Sequence, residues 1–275
     1  REIRNNATAW ALMAPALIFM LAFTVFPIFR SLYLSLSKYK LGMDGAEFIG
    51  LENYVKLAGS KLFWKVMKNT IVFALMTVIP SMAVGLGLAV LVNRKGKRVG
   101  FIRTAYFYPV VMPMIAIASV WMFIYMAKNG LFDQMLVSLG LEPMNVLSNK
   151  STVLPAMAVM YVWKEAGYLM VFFLSGIQSI SDEVNEAARI DGASKPRMFF
   201  KITLPMITSI AFFNIIMQLI TALQNFTSAF VVTNGGPNKA TYVLGMKLYT
   251  DLEKKYPLYQ GGFIWEYIDQ SLYRV

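Results

Sequence analysis

Between Ala7 and Phe29 the chain runs for 23 residues, ATAWALMAPALIFMLAFTVFPIF, without one charged side chain. About 20 such residues carry a helix across a hydrocarbon layer about 30 Å thick. Backbone amides left unpaired in hydrocarbon are costly, so a segment of this kind has to be a helix. A secretory leader has an apolar region of only about 7–15 residues before a small-residue cleavage site. This run is longer and closes on Phe26, Pro27, Ile28 and Phe29, so it reads as a permanent span.

Four more windows have the same character: Asn69–Val92, Thr104–Ala127, Val153–Ile180 and about Ile202–Val232. They explain why only 15% of the chain is charged, against about 25% in an ordinary soluble domain. The expectation is an all-α fold, a polytopic transmembrane helix bundle of five spans. Pro80, with Ala83, Gly85, Gly87 and Ala89, marks a second span whose small residues admit close neighbours. Pro109 and Pro113 predict kinks in the third. Residues 1–29 form the amino-terminal region and first span, 30–68 a polar extracytoplasmic loop, 69–232 the core with four spans, and 233–275 an extracytoplasmic loop and a final segment. The polar loop reads equally as short interfacial helices or as a solvated connection. Residues 240–275 contain no uncharged window long enough to span.

The formal net charge is +11. Its basic residues sit between apolar spans instead of lining one face, which argues against nucleic acid and for sorting at a membrane. Arg94, Lys95, Lys97, Arg98 and Arg103 form the densest cluster, with no acid among them. Clusters of this kind stay in the cytoplasm. Alternation then puts residues 181–201 and the amino terminus on the same side. The chain has no cysteine and no histidine, which removes thiol nucleophiles, the usual zinc ligands and the commonest general base.

The charged passage EAARIDGASKPRMFFKITLP, residues 186–205, interrupts this apolar sequence. Ser181 is a candidate N-cap, and Asp182 and Glu183 suit a helix's first turn. Gly192 stands where a left-handed residue ends a helix, and Ser194 with Pro196 opens another. A helix, a glycine corner and a second helix are predicted at the membrane surface.

Glu186, Ala187, Ala188, Gly192, Ile202, Leu204 and Pro205 match the spacing Glu-Ala-Ala, three residues, Gly, nine residues, Ile-x-Leu-Pro. This resembles the EAA loop of the membrane-spanning subunits of bacterial ATP-binding-cassette (ABC) importers. FLSGIQSISDEVNEAARIDGAS and VVTNGGPNKATYVL are similar to the carbohydrate-uptake branch, which includes maltose-type and glycerol-3-phosphate-type permeases. The resemblance covers roughly residues 7–250. It implies a type I ABC importer permease fold in the bacterial inner membrane and no catalysis by this chain. It also implies that residues 181–201 form a coupling loop docked on ABC ATPase subunits. Glu186, Ala187, Ala188, Asp191, Gly192, Ile202, Leu204 and Pro205 would serve that coupling. The further partners implied are a second, non-identical permease subunit and an extracytoplasmic solute-binding protein. Family members commonly have a last apolar helix, which is expected here to be missing or divergent. No GxxxxGK[ST] motif is present, since Gly96-Lys97 precedes Arg98. ATP and magnesium are therefore expected on the partner ATPase, with no cofactor in this chain.

Lys164 and Glu165 lie inside the fourth span, and intramembrane charges commonly mark a pathway. As helix neighbours they point about 100° apart and are expected not to pair directly. Tyr161, Lys164, Glu165 and Tyr168 form an aromatic and charged stripe suited to a sugar. The alternative is a snorkelling lysine in an interfacial tyrosine belt. Asn214, Gln218, Thr221 and Asn225 recur on one face of the fifth span, as channel lining or as glue between helices. The competing function is an ion-coupled secondary transporter or channel. It would show inverted repeats and acids in several spans, whereas Glu165 is the one acid within these windows.

Overall fold

A computed structural model describes residues 2–38, 46–94 and 96–255. The chain divides into two units, residues 1–64 and 65–275.

In the first unit, α1 (Glu2–Met20) passes through a π-helical turn, Leu21–Val25, into α2 (Phe26–Ser35). Thr8–Ser35 is long and apolar enough to cross a membrane, and it runs six residues past the predicted end at Phe29. Its apolar side chains, among them Trp10, Phe19, Phe23 and Phe29, face outward, as lipid permits. A two-residue antiparallel pair follows, β1 (Ser37–Lys38) with β2 (Glu47–Phe48). The Asn53 amide, on α3 (Glu52–Ala58), donates to the Ser35 and Ser37 carbonyls at 2.9 and 3.0 Å. Part of the predicted polar loop is thus a short helix tied back to the end of α2.

The second unit is built on α4 (Lys61–Val92), which begins eight residues before the predicted span, and on α8 (Val153–Gln178). Along α4, Val66, Thr70, Phe73, Thr77, Ser81, Gly85 and Ala89 are buried at helical spacing. Such a stripe makes α4 a one-sided helix. Around α8 the buried positions run nearly all the way round, so α8 is the axis of the unit. Glycines set the close approaches. A Cβ on Gly167 would lie 2.0 Å from the Tyr106 carbonyl oxygen, and one on Gly85 would lie 2.5 Å from Leu169 Cβ.

Two of the predicted spans are not straight. The third divides into α5 (Lys97–Val111) and α6 (Met114–Ile124), bent by 101°. Pro113 has no amide hydrogen to continue the helical ladder, and the backbone extends at Met112. The fifth begins earlier than predicted, with α10 (Lys195–Met198), a π turn at Phe199–Thr203 and α11 (Leu204–Met206). It bends by 67° at Ile207 into α12 (Thr208–Leu223). It also stops short of Val232, because residues 224–226 leave the helix before α13 (Thr227–Thr233). Among the described residues three helices are long and apolar enough to span, or five elements if each bent pair counts as one.

Loops close the two ends of this unit. At one end the Arg103 guanidinium donates to the Val92 carbonyl at 2.8 Å, capping α4. Ala89, Val92, Leu169, Phe173, Ile180 and Ile207 form a core cluster there. At the other end α7 (Leu131–Ser138) holds buried Asp133, whose carboxylate accepts from the Lys128 and Met144 amides. There the Lys65 ammonium donates to the Asn238 carbonyl at 2.5 Å, and Asn69 donates to the carbonyls of Lys239 and Tyr242. The Asn-Gly-Gly-Pro loop is thereby clamped to the first turns of α4. After it α14 runs over Leu244–Lys255. The predicted divergent segment from Tyr256 onward lies outside the described residues.

Candidate functional site

The charged passage folds as predicted. α9 spans Asp182–Ile190, and Ser181 stands at its N-cap in extended conformation, though its hydroxyl makes no cap bond. At the other end Gly192 has φ +71°. Its amide donates to the Arg189 carbonyl at 3.1 Å, and the Ala193 amide to the Ala188 carbonyl at 3.0 Å. This is a Schellman closure, which calls for a left-handed residue. Pro196 sits in the first turn of α10.

The two faces of α9 differ. Val184 packs on the core cluster at the foot of α8, and Ala188 is buried on the same side. Glu183, Glu186, Ala187 and Ile190 point outward, as do Asp191 and Gly192 at the corner. Ile190 is 86% exposed, and the motif does not include it. The signal that could have found it is a β-branched apolar residue at the end of an otherwise polar helical face. Ile202 and Leu204 are half-buried in the π turn and in α11, and Pro205 is exposed, two residues before the bend. They orient α12 and lie apart from the outward face of α9.

The second group of residues lies in the middle of α8. The Lys164 ammonium stands 3.9 Å from Glu165 Oε1, so the neighbours do pair, contrary to the expectation from helical geometry. Two long side chains can converge although their Cβ atoms diverge. The ammonium also donates to the Val110 carbonyl at 3.4 Å, beside the break between α5 and α6. A helix end of this kind carries partial negative charge. Glu165 Oε2 accepts a 3.0 Å hydrogen bond from the Gln218 amide of α12. Both charged side chains are largely covered, 13% and 15% exposed. At an effective dielectric constant of 20, charges about 4 Å apart attract by about 4 kcal/mol before desolvation. Removing one partner of a covered pair leaves the other uncompensated.

The tyrosines separate. Tyr161 is buried, edge-on to Phe73 with centroids 5.6 Å apart, and belongs to the core between α4, α6 and α8. It is a packing residue more than a lining one. Tyr168 is half-buried and leans on Phe172, with centroids 4.6 Å apart. The polar stripe of α12 also divides. Asn214 and Gln218 are 0% and 2% exposed. Thr221 is exposed and bonds back to the Met217 carbonyl. Asn225 lies beyond the end of α12 and accepts from the Ser228 hydroxyl at 2.6 Å. Both amide atoms of Asn214, Oε1 of Gln218 and the buried Ser81 hydroxyl of α4 have no hydrogen-bond partner among the described residues. Sequence reasoning missed Ser81, whose neighbours in α4 are all apolar or small.

A helical bundle with broken spans, a charged hairpin at one end and a polar group at mid-helix fits a multi-pass membrane protein. Residues 81–264 match the family described as binding-protein-dependent transport system inner membrane component, and the chain belongs to it. A probable ABC transporter permease protein, YurN of Bacillus subtilis (strain 168), is 35% identical over 90% of this chain and 85% of its own. The trehalose/maltose transport system permease protein MalF of Thermococcus litoralis is 31% identical, over 87% of this chain and 81% of its own. The crystal structure of a bacterial ABC transporter that imports the acidic polysaccharide alginate contains a chain of the same fold. Its TM-score is 0.74, with 22% identity over 94% of this chain and 88% of that one. The chain is an ABC transporter permease of this binding-protein-dependent family.

Proposed function

We propose that this chain forms half of a translocation pathway for a sugar, oligosaccharide or sugar-phosphate-like solute and couples it to ATP hydrolysis by a partner. A second permease subunit completes the pathway, and a solute-binding protein delivers the solute on the extracytoplasmic side of the bacterial inner membrane. ATP and magnesium bind on the ATPase subunits.

The observation that carries this reading is the division of α9 between an anchored face and an exposed one. Val184 and Ala188 fix the helix to the core at the foot of α8. Glu186, Ala187 and Ile190 are left to meet a groove on the ATPase. Ile190 is the apolar anchor, the small Ala187 admits close approach, and Glu186 meets basic or backbone donors. A push on α9 is then delivered to α8 and, through α10 and α11, to α12. Glu165, Lys164, Gln218 and Asn214 lie on those two helices, where the push would rearrange them. Tyr168 adds an aromatic surface on the same helix. The relatives named for trehalose and maltose and for alginate support a carbohydrate solute.

Co-expression with the ATPase subunits, followed by purification through a tag on this chain, tests the docking. Ile190→Asp should lower ATPase recovery at least fivefold while the chain stays in the membrane. Full recovery would remove α9 as the contact. Uptake into proteoliposomes that needs no interior ATP would favour the ion-coupled carrier instead.

A further inference from the structure

The connection from α2 to α4 turns apolar side chains outward: Phe48, Leu51, Val55 and Trp64 are all more than half exposed. On α3 they are sorted by side. At about 100° per residue, Leu51, Val55 and Ala58 share one side of the helix. Glu52 and Lys56 lie on another and form an ion pair at 2.5 Å. Asn53 and Tyr54 turn to the end of α2. The Asn53 amide holds the Ser35 and Ser37 carbonyls, and the Tyr54 hydroxyl stands 2.8 Å from that of Ser35.

These bonds set the depth of α3. Arg30 ends the uncharged run of the first span. Ser35 lies five residues further along the same helix, about 7 Å at 1.5 Å per residue. The headgroup layer on each side of the hydrocarbon is about 5–8 Å thick. Ser35, and α3 bonded to it, therefore sit within that layer. Trp64, at the opening of α4, has the same character. Its indole N–H donates to the Ala58 carbonyl at 2.7 Å, which satisfies the polar edge and leaves the ring outward. Rings of this kind suit the boundary between membrane and water.

We infer that α3, with Phe48 and Trp64, is an interfacial anchor: its Leu51, Val55 and Ala58 side enters the phospholipid boundary and its Glu52–Lys56 pair faces water. Phospholipid is the occupant because the apolar side continues the outward-facing surface of α1 and α2 at the depth where their span ends. Through Asn53 the anchor fixes the level at which the first span leaves the membrane. The inference needs only that Thr8–Ser35 crosses a bilayer, and it does not rest on the importer reading.

Because the chain has no cysteine, a nitroxide can be attached at single positions. Val55→Cys and Lys56→Cys are labelled in the full chain, in nanodiscs of phosphatidylethanolamine and phosphatidylglycerol. Collision with oxygen, which concentrates in lipid, is compared with collision with a water-soluble nickel chelate. The oxygen-to-nickel ratio should be about fivefold or more higher for Val55→Cys than for Lys56→Cys, as for an apolar face sunk below the headgroups. A ratio no higher for Val55→Cys, whether from water at both positions or from protein covering Val55, would overturn the inference. Wild-type chain gives a second reading that needs no substitution. A phospholipid with a photoactivatable diazirine high on its acyl chain should leave adducts on residues 48–58 as well as on the first span. Adducts on the span alone would overturn the inference too.

Discussion

Gln218 of α12 donates to Glu165 of α8 at 3.0 Å, joining residues 53 positions apart in the chain. Both helices continue to the charged hairpin, one entering it at Gln178 and the other leaving through α10 and α11. The bond therefore ties the two arms of the hairpin together at mid-helix. Gln218→Leu preserves the volume but leaves a covered carboxylate oxygen without its donor. A loss of about 1–3 kcal/mol is expected for such a group. Differential scanning fluorimetry of the purified complex should show a lower Tm, and solute-stimulated ATP hydrolysis should fall. An unchanged Tm would mean that Glu165 finds another partner.

Gly192 has no atom within 4 Å of where a Cβ would stand, so its φ of +71° is the whole constraint. A β-branched residue there is strained by about 1–2 kcal/mol. Gly192→Val should leave α8 and α12 folded, with Tm little changed. Pull-down of the ATPase subunits should weaken at least fivefold, because the corner sets the angle at which α9 is presented.

Gly167 and Gly87 make an internal comparison. A Cβ at Gly167 meets the α5 backbone at 2.0 Å, whereas one at Gly87 meets nothing within 4 Å. Gly167→Ala is expected to cost about 1–3 kcal/mol by overpacking and to lower Tm by several degrees. Gly87→Ala should be neutral. Equal effects from the two would show that α5 and α8 are less tightly apposed.

The two tyrosines of α8 should behave differently. Tyr161→Ala opens a cavity beside Phe73 and Met157 in the core, and truncating a buried aromatic residue costs about 3–5 kcal/mol. Its main effect should be on yield and Tm. Tyr168→Ala removes a half-buried ring, and should reduce uptake more than stability. Uptake kinetics measured at matched amounts of assembled complex separate the two outcomes.

Because the chain contains no cysteine, single introduced cysteines report sidedness directly. Glu186→Cys should react with a membrane-impermeant maleimide only after the cytoplasmic face is opened. Asn238→Cys, in the loop clamped to α4, should react in intact spheroplasts. Labelling of both positions from one side would contradict the predicted sidedness.

Long uncharged windows determined the helical class and the presence of a bundle, since hydrocarbon leaves the backbone no other way to satisfy its amides. The helix, glycine corner and second helix around Gly192 and Pro196 were legible because turn chemistry is local, although the Ser181 hydroxyl makes no cap bond. Tertiary structure alone decided the rest. The third and fifth spans bend by 101° and 67°, and whether a proline or a short π turn kinks a helix gently or breaks it depends on what packs alongside. Helical geometry put Lys164 and Glu165 on diverging directions, yet they pair, because a carbonyl from the end of α5 and an amide from α12 draw the two heads together. Tyr161 and Tyr168 share a sequence stripe but have different neighbours, and Ser81 carries no local mark at all. Pairing, burial and exposure are properties of the surroundings, and those are assembled from residues far apart in the chain.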